Sequence, residues 1–231
     1  YWGIGIIQIS SRHLFYIGHS GVSIFNTEAL HTRSTSKLSQ LIHAAYASVD
    51  IPRTFFSLNL NKAKDYALSS GLGYPYIMKD AQASRGSSNY LITDNNIFEQ
   101  HKDEHSETAP FIIQECIESD HCDYRYFVAG GKVALVIKRT GKSGSHLNNV
   151  SAGGSAELVD INVLGAECVK EVEMLSSIMH REVTGIDIMR DIKTGKNIFL
   201  EANPIPQIAT GAFTAEKLEA LAKALVLKGD K

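Results

Sequence analysis

The sequence predicts an α+β fold built around antiparallel hairpins. Three observations carry that prediction. Two strand–turn–strand signatures lie in the second half of the chain, and strand and helix patterns mix without regular βαβ alternation. The 231 residues are 44 % hydrophobic, enough for one large core or two modest ones.

The chain opens with strand-like segments, "GIGIIQIS", "HLFYIG" and "VSIF". Residues 32–48 place Leu38, Leu41, Ile42 and Ala45 at helical spacing behind Ser and Thr caps, and Pro52 ends that helix. Residues 59–70 read as a second, shorter helix stopped by Gly71 and Gly73. "YPYIMKD" is a brief strand and "AQASRGSSNYLI" a loop of small residues leading into another. "PFIIQECI" is nearly continuous in apolar residues, which suits a strand buried on both faces. Residues 166–181 form a helix with Val169, Val172 and Leu175 inward, and residues 214–228 form one that buries Leu218, Leu221 and Leu225.

In "DYRYFVAGGKVALVIKR", Gly130 and Gly131 suit a two-residue turn with positive φ. A simple register from that turn sets Asp123 opposite Lys138, with Arg125 on the same face. Tyr124, Tyr126, Val128, Val133, Leu135 and Ile137 then share the core face, and Arg139 falls opposite to Lys138. In the second hairpin, "GIDIMRDIKTGKNIFLEAN", a register centred on Thr194 sets Asp187 opposite Glu201, with Cβ atoms about 5 Å apart. Asn203 follows on that face.

Two carboxylates so placed repel by about 3 kcal/mol at an effective dielectric of about 20. A hard divalent cation offsets this, since Mg²⁺ takes oxygen ligands from one or two carboxylates, substrate phosphates and water, and the Asn203 amide oxygen adds a donor. The plain alternative is a solvated hairpin edge. A nucleotide would also need cations and exposed amides: Lys79 ends a strand before "ASRGSS", whose Gly86 and serines allow backbone N–H groups near phosphate. That loop fits neither the P-loop nor the three-glycine dinucleotide pattern.

Other classes are disfavoured. A formal charge of −2 with mixed signs gives no basic stripe for nucleic acid. No apolar run approaches a membrane span, and a cytoplasmic protein is expected. Cys116, Cys122 and Cys168 lack zinc-ligand spacing, and a disulfide framework is not expected. His101 and His105, in the polar run "EQHKDEHSE", read as a solvated face or loop and are assigned no chemistry.

From "TSKLSQLIHAAYASVDIPRTFF" through "YPYIMKDAQASRGSSNYLI", "FIIQECIE", the first hairpin and "NNVSAGGSAELVD" to "GIDIMR" and "FLEANPIPQ", the chain resembles the ATP-grasp superfamily. It is most similar to the branch of the ribosomal-protein glutamate ligases (RimK-like). The resemblance implies two α+β subdomains with ATP between them. Residues 32–112 would be the lid-side subdomain with its entry helix, and 113–231 the metal-bearing one. Residues 1–31 would be a remnant of an upstream domain, largely missing from a chain that opens "YWGIGII" without Met.

Residue by residue, the resemblance assigns Lys37, Lys79, Arg85, Gly86, Ser87 and Ser88 to the nucleotide phosphates. It sets Gln114, Glu115, Cys116 and Ile117 against adenine and Asp123 at the ribose side. Asp187, Glu201 and Asn203 match the Mg²⁺ ligands, with Mn²⁺ as a substitute, and Arg125, Lys138, Arg139 and Asn149 would serve phosphoryl transfer. The implied reaction is ATP- and Mg²⁺-dependent carboxylate–amine ligation through an acylphosphate. Its partners would be small-molecule or peptide acids and amines, with a homo-oligomer left open. A small-molecule kinase and a non-catalytic nucleotide-binding module are the alternatives. Leu147 and Ala152 stand where the glutamate ligases carry arginines around their asparagine, and Ile205, Pro206 and Gln207 replace the usual small-residue continuation after Asn203. Both departures bear on the substrate.

Overall fold

Two antiparallel sheets, joined through one helix, carry the chain. The computed structural model describes residues 24–28, 36–81, 89–103, 110–141 and 154–229. Helix α1 (Lys37–Tyr46) starts at Ser36, whose Oγ accepts the Ser39 N–H at 3.1 Å. Strand β1 (Thr54–Phe56) follows Pro52. Helix α2 (Leu60–Ser69) starts at Asn59, whose side chain accepts the Lys62 N–H. Strands β2 (Tyr76–Asp80) and β3 (Asn89–Ile92), helix α3 (Asn95–Asp103) and strand β4 (Phe111–Glu115) complete a four-stranded sheet of order β1-β4-β2-β3. Its core joins Leu60, Ala63 and Ala67 of α2 to Met78, Phe98 and Ile113.

The second sheet contains β5 (Cys122–Ala129), β6 (Lys132–Thr140), β7 (Ser155–Val159), β8 (Val183–Arg190) and β9 (Asn197–Asn203), in the order β7-β6-β5-β8-β9. Helices α1 and α4 (Ala166–Ile178) cover one face through Leu41, Ala44, Val172 and Leu175. Helix α5 (Thr214–Gly229) covers part of the other, where Ala224 meets Phe127, Leu135 and Ile137. No helix among the described residues is long and apolar enough to cross a membrane.

Several sequence expectations change here. Helix α1 packs on β9, and its Leu41 and Ala44 join the core under the second sheet, to which Ala81, just after β2, and Ile112 of β4 also contribute. A division at 112/113 would cut β4, and the first sheet runs to Glu115. Strands β1 and β7 and helix α3 add to the elements that the sequence predicts. The polar run around His101 hides α3 because one face alone is apolar: Phe98 is fully buried, Asp94 accepts the Asn96 and Ile97 N–H groups, and His101 stacks on Tyr90 with ring centroids 4.1 Å apart. His105 lies outside the described residues, as do the expected strands "GIGIIQIS" and "HLFYIG"; of "VSIF" only Ile24 and Phe25 are described, and they are not in a strand.

Helix α5 is rotated from the expected face. Lys217 and Ala224 are buried, whereas Leu218 and Leu225 are 42 % and 51 % exposed.

The first hairpin departs most. Val128 pairs with Val133, but Phe127 pairs with Leu135, so Ala134 is an extra residue and the register shifts by one. Asp123 therefore faces Arg139, and Arg125 faces Ile137. Leu135 and Ile137 leave the face of Tyr126 and join Phe127 under α5. Arg139 turns to the side of Asp123; Lys138 turns away and meets Glu157 at 3.3 Å.

Candidate functional site

The site builds outward from a cross-strand pair. Near the tip of the second hairpin Ile188 faces Phe199, and Leu200 is then skipped, which brings Asp187 opposite Glu201 as the spacing predicted. Asn203 lies on the same face of β9. Its Nδ2 donates to Glu201 Oε1 at 3.0 Å and lies 3.5 Å from Asp187 Oδ2. The amide thus stands between both carboxylates, and a half-turn about its terminal bond would present Oδ1 there instead. Two carboxylates and an amide, with room left for phosphate oxygens and water, suit a hard divalent cation. Among the described residues no cluster of three or more His, Cys, Asp or Glu competes with this set.

Two arginines offset the negative charge. Arg125 Nε and Nη2 donate to Asp187 Oδ1 and Oδ2, each at 2.7 Å, and Arg139 Nη2 lies 3.0 Å from Oδ2. Arg139 Nε donates to Asp123 Oδ1 at 2.6 Å. Asp123, Arg139, Asp187 and Arg125 thus form a buried chain of alternating charge. Burial would raise the Asp187 carboxyl, but Arg125 and Arg139 outweigh it and hold the group below the usual carboxylate range. Asp123 goes the other way: burial pushes it up to about 6, with Arg139 opposing and Asp187 adding.

The first sheet supplies lysines. Lys37 opens α1, where its N–H donates to the Ala81 carbonyl at 3.0 Å and its Nζ to the Asp80 carbonyl at 3.3 Å. Lys79 is the last residue but one of β2. Burial lowers the Lys79 ammonium pKa, the Lys37 charge adds to that, and Glu201, Asp187 and Cys116 oppose it. Lys79 thus lies within electrostatic reach of Lys37, the carboxylate pair and Cys116.

The residues at and after the end of β4 behave unequally. The Gln114 side chain is buried and donates to Thr54 Oγ1 at 2.9 Å, within its own sheet. Glu115 donates its N–H to the Arg53 carbonyl at 2.9 Å. Among the described residues, neither Cys116 nor Ile117 takes part in backbone pairing, which leaves this strand end able to meet a planar ring through main-chain groups. Arg85, Gly86, Ser87, Ser88 and Asn149 lie outside the described residues. Lys138, on the far face with Glu157, is not brought to the site.

Three contributors carry no motif in the sequence. Gly185 on β8 stands where a Cβ would meet Arg125 Cδ and Pro206 Cβ at 3.2 Å each. Lys217 Nζ donates to the Gln207 and Thr210 carbonyls at 2.7 and 3.2 Å, tying down the loop after Asn203. Gln40 reaches the backbone of β9. The only sequence signal for Lys217 is its spacing from Ala220 and Ala224 along one helical stripe.

Two antiparallel sheets that bring lysines and a carboxylate–amide set to one site define an α+β protein of the ATP-grasp fold. The chain belongs to the RimK-like ATP-grasp family, whose domain model matches residues 32–223. A probable alpha-L-glutamate ligase of Saccharophagus degradans is 30 % identical over 188 residues, which cover 80 % of this chain and 60 % of the relative. The chain thus spans about 60 % of the length of that relative. Among solved structures, the ATP-grasp ligase PsnB, complexed with a phosphomimetic variant of its minimal precursor, Mg and ADP, aligns with a TM-score of 0.66 at 18 % identity, covering 95 % of this chain and 67 % of PsnB. The RimK domain ATP-grasp protein of Sphaerobacter thermophilus aligns with a TM-score of 0.64 at 14 % identity, covering 94 % and 77 %. These two share the fold.

Proposed function

We propose that the chain is part of an ATP- and Mg²⁺-dependent ligase that joins a carboxylate to an amine through an acylphosphate. The observation that carries this is the convergence of Asp187, Glu201 and Asn203 on one face of β8 and β9, with Lys79 of the other sheet within electrostatic reach. Its relatives support the class: one is a probable alpha-L-glutamate ligase, and PsnB is a ligase seen with Mg and ADP.

In this reading Lys37 and Lys79 hold the nucleotide phosphates, and Arg85, Gly86, Ser87 and Ser88 serve the same phosphates. Backbone groups of Glu115, Cys116 and Ile117 take the adenine edge, and Asp123 lies toward the ribose. Asp187, Glu201 and Asn203 would hold Mg²⁺, which neutralises and orients phosphate oxygens when bound. An oxygen of the acid attacks the γ-phosphorus, the bond to the β-phosphate oxygen breaks, and ADP leaves. The amine nitrogen then attacks the acyl carbon, inorganic phosphate leaves, and the nitrogen gives up a proton. Arg125, Arg139 and Asn149 steady charge that spreads over the moving phosphoryl group; little covalent chemistry falls to the protein. Lys138 is omitted because its partner is Glu157. The acid and amine are small molecules or peptides. Leu147 and Ala152, in place of arginines, argue for an acceptor other than the protein tail served by the ribosomal-protein branch.

Calorimetric titration of ADP with and without Mg²⁺, on wild type and Glu201→Gln, tests the reading. Expected are Mg²⁺-dependent binding in wild type and its loss, by about tenfold or more, in Glu201→Gln with the fold intact. Equal affinity in both would remove Glu201 from the metal site.

A further inference from the structure

We propose that Gln40 and Arg181 are positioning residues for the divalent cation, acting through the backbone of Ala202; this rests on the functional reading above. Strand β9 is an edge strand, the last of the order β7-β6-β5-β8-β9. Along an edge, backbone groups turned away from the neighbouring strand ordinarily face water or a foreign chain. At Ala202 they do neither. Its N–H donates to Gln40 Oε1 at 2.8 Å, and its carbonyl accepts from Arg181 Nη1. Gln40 and Arg181 are 6 % and 2 % exposed, and Ala202 is 2 % exposed, so the clamp is dry. Arg181 is itself held by Glu28, Nε to Oε1 at 3.3 Å.

Ala202 is the residue between Glu201 and Asn203. Side chains replace the missing neighbour strand at the one point that sets the spacing of those two donors. The Thr184 hydroxyl adds a third hold, donating to the Asn203 carbonyl at 2.8 Å. The reason for such anchoring is geometric: a one-residue slip would send Glu201 and Asn203 to the opposite face, and a shift of about 1 Å is enough to spoil a charged site.

Gln40 also links this strand to the lysines. It lies one turn after Lys37 on α1, and the first backbone N–H of that helix is bonded to Ala81, two residues beyond Lys79. Helix α1 therefore fixes the end of β2 with its first turn and the donor strand with its second. The phosphate-side lysines and the cation-side oxygens share one rigid spacer.

The test is a Gln40→Leu variant, near in volume but without the acceptor, beside Gln40→Glu, which keeps an oxygen at that place. Arg181→Lys, which keeps the charge facing Glu28 but loses the reach to Ala202, serves if Gln40→Leu fails to fold. Mg²⁺ affinity is read by calorimetry at saturating ADP, ADP affinity without Mg²⁺ is read separately, and amide exchange is followed at Ala202. Expected in Gln40→Leu is about a tenfold loss of Mg²⁺ affinity, faster Ala202 exchange and Mg²⁺-free ADP affinity within about twofold of wild type, with recovery in Gln40→Glu. Wild-type Mg²⁺ affinity in a folded Gln40→Leu, or in Arg181→Lys, overturns the inference alone. A wild-type chain without Mg²⁺-dependent ADP binding overturns the functional reading and this inference with it.

Discussion

Arg125 lies side-on to Asp187, its Nε and Nη2 each 2.7 Å from a different carboxylate oxygen. Both side chains are largely withdrawn from water, and a buried pair broken on one side leaves an uncompensated charge. Removal of Arg125 should therefore cost more than an exposed ion pair, whose loss is worth under about 1 kcal/mol. Arg125→Ala is expected to lose about 3 kcal/mol in urea unfolding, with Arg139 retaining part of the compensation. Since a bound cation would supply the missing charge, Mg²⁺ with ADP should stabilise the variant more than wild type. Equal gains would mean that Asp187 is a structural partner of Arg125 and no ligand.

Asp123 makes stability depend on pH in an unusual direction. Burial raises its folded pKa to about 6, above an ordinary value of 3.8. Between those values the native chain binds a proton that the unfolded chain does not, so this contribution falls as pH rises from about 4 to about 6. Asp187 has the opposite sign: its folded pKa is depressed, and its stabilisation is lost as pH falls through that folded value. Urea midpoints of wild type minus Asp123→Asn should decline from pH 4 to 6.5 and level off above. A difference independent of pH would show that Asp123 stays ionised beside Arg139 throughout.

How much of this could be read in advance turns on bulges and on helix faces. The pairing of Asp187 with Glu201 was legible, although only because Leu200 absorbs a one-residue offset near the tip. In the first hairpin the extra residue is Ala134, and nothing in "KVALVIKR" marks it; Arg139 and Lys138 consequently exchange faces. The buried face of helix α5 is not legible from hydrophobicity, because leucines outweigh alanines in any hydrophobic count. Close approach decides instead: a Cβ on Gly130 would lie 3.0 Å from Ala224 Cβ, so the small-residue stripe must face the hairpin. Gln40 was invisible because its partner is a backbone group more than 160 positions away, and side-chain to main-chain contacts leave no periodicity.

Gly185 makes room for the arginine. An alanine there would bring its Cβ to 3.2 Å from Arg125 Cδ and from Pro206 Cβ, closer than ordinary contact. Gly185→Ala should cost about 1 to 3 kcal/mol as the guanidinium and the loop after Asn203 shift. Much of that cost passes through Arg125, so the double variant Gly185→Ala/Arg125→Ala should lose less than the two single losses together, by about 1 kcal/mol. Urea unfolding of the four chains measures this. Strict additivity would assign the cost to Pro206.

Lys217 anchors that same loop against unfavourable electrostatics. Its ammonium is buried in the first turn of α5, near the positive end of the helix; burial lowers its pKa and the Arg125 charge lowers it further. Its hold is on the Gln207 and Thr210 carbonyls, and both of those residues are exposed. Lys217→Met removes the misplaced charge and the two hydrogen bonds together, and the freed carbonyls can turn to water. Global stability should therefore change by under about 1 kcal/mol, while amide exchange over residues 207–213 rises by about tenfold. If this loop borders the acid site, the KM for the acid should rise while Mg²⁺–ADP affinity stays within about twofold of wild type, because the carboxylate–amide set is held from β8, α1 and Arg181 and not from α5. Unchanged exchange over 207–213 would show that the loop stands without Lys217, and loss of Mg²⁺–ADP affinity would place the lysine on the nucleotide side instead.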